Sequence, residues 1–279
     1  MRGKTISIYL PDSNPRSIKI CDINTSIVRA FLIPRNKLGD FSSKEELSCP
    51  GVYFLIGEKT DSGKNKIYIG EAENLFSRIR QHNKDSNKDF WNLVICFISD
   101  KKNINKAHIK YLENYCCNEA KRIDRCELVN STNPTQSSLT EQDKDFILDF
   151  YDDLKILIAT LGYPIFEEIK KDKKNLFFCK GKEAIATGEY NEEGLLVFKG
   201  SKVNIEESKT AGSWVINMRK NLIDRKILIE NDSTTFIFKD DFLFSSPSAS
   251  AAVVLGRRAN GWTEWKNKDG KTLDELFRK

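Results

Sequence analysis

Gly51-Val52-Tyr53-Phe54-Leu55-Ile56 and, after a polar connection, Lys66-Ile67-Tyr68-Ile69-Gly70 are the stretches that decide the fold of the first half of the chain. Both are short runs rich in β-branched and aromatic residues, and Asp61-Ser62-Gly63 between them is a turn signal, so they predict a β-hairpin. Side chains alternate along a strand, so Val52, Phe54 and Ile56 share one face, as do Ile67 and Ile69. Tyr53 and Tyr68 have the opposite parity. Pairing that puts the aliphatic sets together brings both phenols out on one face. Strand tyrosines also commonly do no more than pack with a satisfied hydroxyl.

Working outward, a helix is expected from about Asn74 to Asn83, with Leu75, Arg78, Ile79 and His82 on one stripe at i, i+3, i+4 and i+7. An arginine beside the buried stripe can snorkel to solvent, or it can aim a guanidinium at a phosphate. A strand follows at Leu93–Ser99, then a longer helix from about Lys106 to Ile123. Its apolar stripe is Leu112, Tyr115, Cys116, Ala120 and Ile123, with Glu113 on the adjacent edge. That carboxylate is either a boundary residue or a single ligand for a hard cation pointing back toward the sheet. Singly each residue has a bland reading. Together, two tyrosines, an arginine, a histidine and a glutamate are expected to converge on one sheet face.

The first 48 residues read as a β-rich lead-in, with alternation at Thr5–Leu10 and Ser17–Cys21 and a third apolar run from Ser26 to Ile33. Asn130–Ser138 is a polar loop, and an amphipathic helix from about Glu141 to Leu161 stops at Gly162 and Pro164. The charge run Lys170–Asn175 reads as a linker, placing domains at 1–48, 49–169 and 175–279. After it, strands restart at Leu176–Lys180, Ala184–Tyr190 and Leu195–Gly200. A helix at Ala211–Leu222, a strand at Thr234–Phe238 and a serine-capped helix start at Ser246-Pro247 follow.

Composition narrows the class. At 39% hydrophobic residues the chain can build ordinary cores, and no run reaches the ~18 apolar residues of a membrane span. The seven cysteines are odd in number and contain no Cys-x-x-Cys, and with only two histidines no zinc spacing appears. Reduced, structural thiols in a cytoplasmic protein are the expectation. The net charge of +5 is mild, with the excess outside a nearly neutral middle segment, so it permits phosphate binding without requiring it.

At this point the residues resemble the GIY-YIG nucleases. Gly51-Val52-Tyr53 matches the first signature with Val for Ile, and Tyr68-Ile69-Gly70 matches the second. Arg78, His82 and Glu113 stand where that family has its arginine, a frequent histidine and its metal-binding glutamate, and Asn130 or Asn133 fits a late asparagine. The resemblance covers about residues 50–135. It implies an α+β fold with a small three-stranded antiparallel sheet flanked by helices, here with the β-rich lead-in and a C-terminal α+β domain. It further implies a divalent-metal-dependent endonuclease, with Mg²⁺ or Mn²⁺ at Glu113, Arg78 on the scissile phosphate, and Tyr53 or Tyr68 helping to deprotonate water, shared or assisted by His82. Gly51, Gly70 and Asn130 are supporting residues. The implied partner is nucleic acid, DNA ahead of RNA, although no residue separates the two; a non-catalytic nucleic-acid-binding or adaptor protein is the alternative. Glu71 departs from relatives that carry a lysine soon after the second motif. Residues 175–279 resemble a domain of unknown function that accompanies such nucleases, through Gly200-Ser201, Ser246-Pro247-Ser248-Ala249 and Asn260-Gly261-Trp262 with Trp265. Lys66, Arg80, Ser246 and Trp262 are candidates for contacting nucleic acid. Ser246 at its helix start could receive a phosphate and Trp262 could stack on a base; a capped helix and core tryptophans are the bland alternative.

Overall fold

The structure is a computed structural model that describes residues 3–39, 45–60, 64–132, 134–168, 176–208 and 211–278. The Asp61-Ser62-Gly63 turn, Asn133 and the whole Lys170–Asn175 run lie outside the described residues. The chain divides into two compact units, Met1–Glu168 and Ile169–Lys279. Among the described residues no helix is long and apolar enough to cross a membrane.

The fold class is α+β, and the lead-in is part of the first sheet. Strands β1 (Ile6–Tyr9), β2 (Lys19–Ile23) and β3 (Val28–Pro34) precede the hairpin strands β4 (Gly51–Lys59) and β5 (Asn65–Ala72). Helix α1 (Leu75–Lys84), β6 (Trp91–Ser99), α2 (Lys106–Ile123), β7 (Cys126–Leu128) and α3 (Glu141–Thr160) complete the unit. The sheet order is β1-β2-β3-β6-β4-β5-β7. Every pairing is antiparallel except β5 with β7. The three strands of the signature region, β4, β5 and β6, are thus extended to seven.

Both sheet faces are covered, which is why β4 is buried from Gly51 through Gly57 instead of alternating. On one face Val52, Phe54, Ile56, Ile67 and Ile69 pack with Ile109, Leu112 and Cys116 of α2 and Leu154 and Leu157 of α3. On the other, Tyr53, Leu55, Phe31, Ile33 and Cys96 pack with Leu75 and Ile79 of α1. Caps set the helix starts. Asn74 accepts from the Ser77 N–H at 2.9 Å before α1, Asn105 forms a capping box with His108 before α2, and Thr140 caps α3. Removing the side chain of a wholly enclosed anchor such as Leu75 would cost about 2–5 kcal/mol.

The second unit is a sheet wrapped on a buried helix. Its strands are β8 (Leu176–Lys180), β9 (Ile185–Asn191), β10 (Gly194–Val197), β11 (Lys202–Asn204), β12 (Leu228–Glu230), β13 (Thr235–Phe238), β14 (Phe242–Phe244) and β15 (Trp265–Asn267). The path β12-β13-β11-β9-β10-β14 is extended by β8, which pairs with both β9 and β15. Helices α4 (Ser213–Asp224), α5 (Pro247–Leu255), α6 (Gly261–Glu264) and α7 (Leu273–Phe277) complete it. Helix α5 is built from small and apolar residues and is buried on nearly every side, with Ser246 as its N-cap and Gly256 in the left-handed conformation (φ 67°) as its C-cap. All seven cysteines of the chain are free and buried.

Candidate active site

The hairpin register places the motif residues. Tyr53 stands opposite Gly70 and Leu55 opposite Tyr68, so both phenols lie on the α1 face as the parity argument requires. The rings are 6.2 Å apart between centroids. Gly70 is what lets the Tyr53 ring cross the neighbouring strand: a Cβ there would lie 2.4 Å from Cζ and from Oη of Tyr53. Gly51 is equally constrained, because its Cβ would come 2.4 Å from the Phe97 carbonyl oxygen. The two signature glycines therefore secure close backbone approach, not turns.

Helix α1 closes over the phenols. His82 is 3% exposed, and its Nε2 lies 2.6 Å from the Tyr53 hydroxyl. Burial first, then the positive charges of Lys88 and Arg78, depress the His82 pKa to about 4, so the imidazole is neutral near pH 7 and can accept a hydrogen bond. The Arg78 guanidinium donates to the phenols of Tyr53 and Tyr68 and, through Nη1, to Gln81 Oε1 at 3.1 Å. Burial opposes its charge, but the bonds to the two tyrosines raise its pKa. Tyr53 is wholly buried and Tyr68 half-buried, and each acts on the charge of the other. Burial raises both phenol pKa values, joined by Tyr68 for Tyr53 and by Glu113 for Tyr68, and outweighs the lowering by Arg78. Neither tyrosine is a preformed phenolate in the protein alone.

Glu113 arrives from the other side of the sheet. Its helix, α2, packs on the Val52 and Ile69 face, so the expected convergence on one face is replaced by a meeting at the end of β5. There β7 pairs only with Asn65–Ile67, and the strand runs on past its neighbour. Glu113 accepts a hydrogen bond from the Glu71 backbone N–H and is close enough to Tyr53 and Tyr68 to act on their charges. Burial first, then the Glu71 carboxylate, push the Glu113 pKa up to about 7. Lys106 binds both oxygens of Glu71 at 2.8 Å. A half-buried carboxylate held against a second one is stabilised by a cation, and oxygen donors suit a hard divalent ion. Among the described residues no three His, Cys, Asp or Glu side chains cluster as ligands. The donor set fits an ion held by one carboxylate with waters filling its remaining positions, the usual habit of Mg²⁺.

The supporting and peripheral residues separate clearly. Asn130 continues the β5 ladder with its side chain, donating from Nδ2 to the Ile69 carbonyl at 2.7 Å and accepting at Oδ1 from the Ile69 N–H at 3.0 Å. It fixes the backbone between Tyr68 and Gly70. Lys66 lies farther down the strand, lining an open cleft of about 520 Å³ with Glu58, Lys59 and Asp89. Arg80 is exposed on α1, its guanidinium 5.7 Å from the Phe76 ring centroid. In the second unit Ser246 is engaged as the α5 cap, bonded by the Ala249 N–H at 3.2 Å. Trp262 carries Arg278 over its ring at 3.7 Å and meets Tyr190 edge-on. Trp265 is core, with Nε1 donating to Ser250 Oγ at 2.9 Å. One cation had escaped the sequence pattern. Lys88, in a 3-10 turn after α1, places its Nζ 3.8 Å from the Tyr68 ring centroid. Helical periodicity ends before it and could not have pointed there.

Comparison with known families agrees with this geometry. Residues 49–127 match the GIY-YIG catalytic domain, and residues 177–277 match a domain of unknown function, DUF4357. No curated protein and no solved structure matches the chain. The catalytic-domain match supports a nuclease-type function on nucleic acid. The chain thus carries a GIY-YIG catalytic domain, followed toward the C-terminus by a DUF4357 domain.

Proposed function

We propose that the first unit is an endonuclease that hydrolyses phosphodiester bonds with a divalent cation, Mg²⁺ or Mn²⁺, and that DNA is its first substrate and RNA the second to test. The observation that carries this reading is the cluster of Tyr68, Tyr53 and His82 under Arg78, with Tyr53 hydrogen-bonded to His82 and Tyr68 packed against both rings, and with Glu113 brought to the same strand end. A pure binding surface has no need of a buried neutral histidine behind two phenols.

Each group has a role. Glu113 with waters would hold the cation, whose chemistry when bound is to stabilise charge on the scissile phosphate and leaving oxygen. Arg78 binds a nonbridging phosphate oxygen and offsets the charge that builds during attack. Tyr68, the more accessible phenol, meets the attacking water. As the water proton passes to Tyr68, the Tyr68 proton moves to the Tyr53 oxygen and the Tyr53 proton to His82 Nε2. The hydroxide forms the new P–O bond, the bond to the sugar oxygen breaks, and that oxygen takes a proton from solvent. The negative charge of the substrate offsets the field of Arg78 and Lys88 that weakens His82 as a base. This division of labour makes Tyr68 the proton acceptor and Tyr53 the relay. The seven buried free thiols suit a reducing compartment such as the cytoplasm.

The test is a cleavage assay on single- and double-stranded DNA and RNA, in Mg²⁺, Mn²⁺ or EDTA. Cutting of at least one substrate, abolished by EDTA, is expected. Binding with a steep salt dependence but no cutting under any condition would overturn the enzyme and leave a binding protein.

A further inference from the structure

Lys88 is not explained by the roles above. It follows α1 in the turn Ser86–Lys88, and that segment is braced on both sides by Arg35. Arg35 donates through Nε to Asn83 Oδ1 at 2.8 Å and through Nη1 to Asp89 Oδ1 at 2.7 Å and to the Trp91 carbonyl at 3.3 Å. The Lys88 N–H donates to the Asp85 carbonyl at 3.0 Å. An anchored turn therefore presents a long cationic side chain across the open face of Tyr68, 3.8 Å from its centroid. Ordering a lysine there has an entropic cost.

The charge environment makes the position more pointed. Lys88 acts electrostatically on His82 and is itself acted on by Arg78. Burial first, and then Arg78, lower its pKa, with Asp85 the opposing influence. Two cations thus face one half-buried site beside a neutral imidazole. An arrangement that repels itself when empty is relieved by an anion placed between the cations. The contact with the Tyr68 ring gives Lys88 some stabilisation of its own, about 0.5–2 kcal/mol for such pairs, but does not account for its placement beside Arg78.

We propose that Lys88 is a second phosphate-binding residue of the site, gripping a nonbridging oxygen of the nucleic-acid backbone together with Arg78. This rests on the phosphodiesterase reading and adds to it a residue outside the signature motifs.

The full chain is tested by fluorescence anisotropy in EDTA, so that no cleavage occurs, on a duplex DNA and a single-stranded RNA across a KCl series. Wild type, Lys88→Met, Lys88→Arg and Arg78→Gln are compared, with thermal unfolding as a check of folding. Methionine keeps the apolar stem and removes the charge. The expected result is roughly tenfold or weaker binding for Lys88→Met. The slope of log K against log salt should be shallower by about 0.9 on duplex or about 0.7 on a single strand. Lys88→Arg should keep the affinity and slope of wild type. If Lys88→Met binds like wild type while Arg78→Gln is weakened, Lys88 is only a cover for Tyr68 and this inference alone falls. If wild type binds neither nucleic acid, or Arg78→Gln is as tight as wild type, the phosphate-binding reading of the whole site falls with it.

Discussion

Replacing Gly70 with alanine tests how the signature glycine serves the site. The added Cβ would stand 2.4 Å from both Cζ and Oη of Tyr53, where nonbonded carbon contacts are normally about 3.5–4.0 Å. Tyr53 is 0% exposed, so the ring has no free space to retreat into. Relief requires a displacement on the order of 1 Å, and a shift of that size in an active site can slow turnover by about 100-fold. The same shift breaks the 2.6 Å bond to His82. Overpacking of this kind costs roughly 1–3 kcal/mol, which a folded domain can survive. Gly70→Ala is therefore expected to remain folded by circular dichroism while nicking a supercoiled plasmid at least about 100-fold more slowly. Tyr53→Phe separates the two effects, because the ring keeps its place and only the hydroxyl relay is lost. Nicking by Gly70→Ala at the wild-type rate would refute the argument that the phenol position depends on this glycine.

Other outcomes follow from the same geometry. His82 has a folded-state pKa of about 4 against an ordinary 6.5, so as pH falls the unfolded chain takes up a proton that the folded chain refuses. The first unit should lose stability between about pH 6.5 and 4, on the order of 3 kcal/mol in all, with no contribution from this group above that window. The chain has only 2 histidines, so proton NMR can follow the His82 ring directly; a midpoint near 6.5 for that ring would contradict the burial argument. Asn130→Ala removes both side-chain bonds to Ile69, leaving buried backbone groups unpaired at about 1–3 kcal/mol. Denaturant unfolding should show that loss, together with slower nicking; unchanged stability would remove Asn130 from its supporting role. In the second unit, Ser250→Ala orphans the buried Trp265 Nε1, and a similar destabilisation of about 1–3 kcal/mol is expected from the indole fluorescence transition.

Much of the site was legible because its residues sit on regular elements. Parity placed Tyr53 and Tyr68 on one face, and the helical spacing i, i+4, i+7 placed Leu75, Ile79 and His82 against it. The 18-residue helix Lys106–Ile123 matches its expected limits because Asn105 caps its start and its apolar stripe is continuous. What periodicity cannot supply is pairing between distant segments. Strand β7 has three residues and joins β5 in parallel, and β11, β12, β14 and β15 are equally short. Nothing local in Val28–Pro34 says that β3 will pair with β6, although that ladder makes the lead-in part of the sheet. Glu113 was found on the edge of its helix stripe, but its approach from the opposite face depends on β5 outrunning β7. Lys88 lies in a turn without periodicity, and its position over Tyr68 follows from the Arg35 anchors.

The central claim is that this cluster cleaves phosphodiesters, and the most direct measurement is the single-turnover cleavage rate of Glu113→Gln beside wild type in saturating Mg²⁺. Glutamine keeps the shape of the side chain and removes its negative charge, so the fold is expected to hold. The account predicts a rate lower by on the order of 100-fold or more. A variant that cuts the same substrate as fast as wild type would place the chemistry elsewhere.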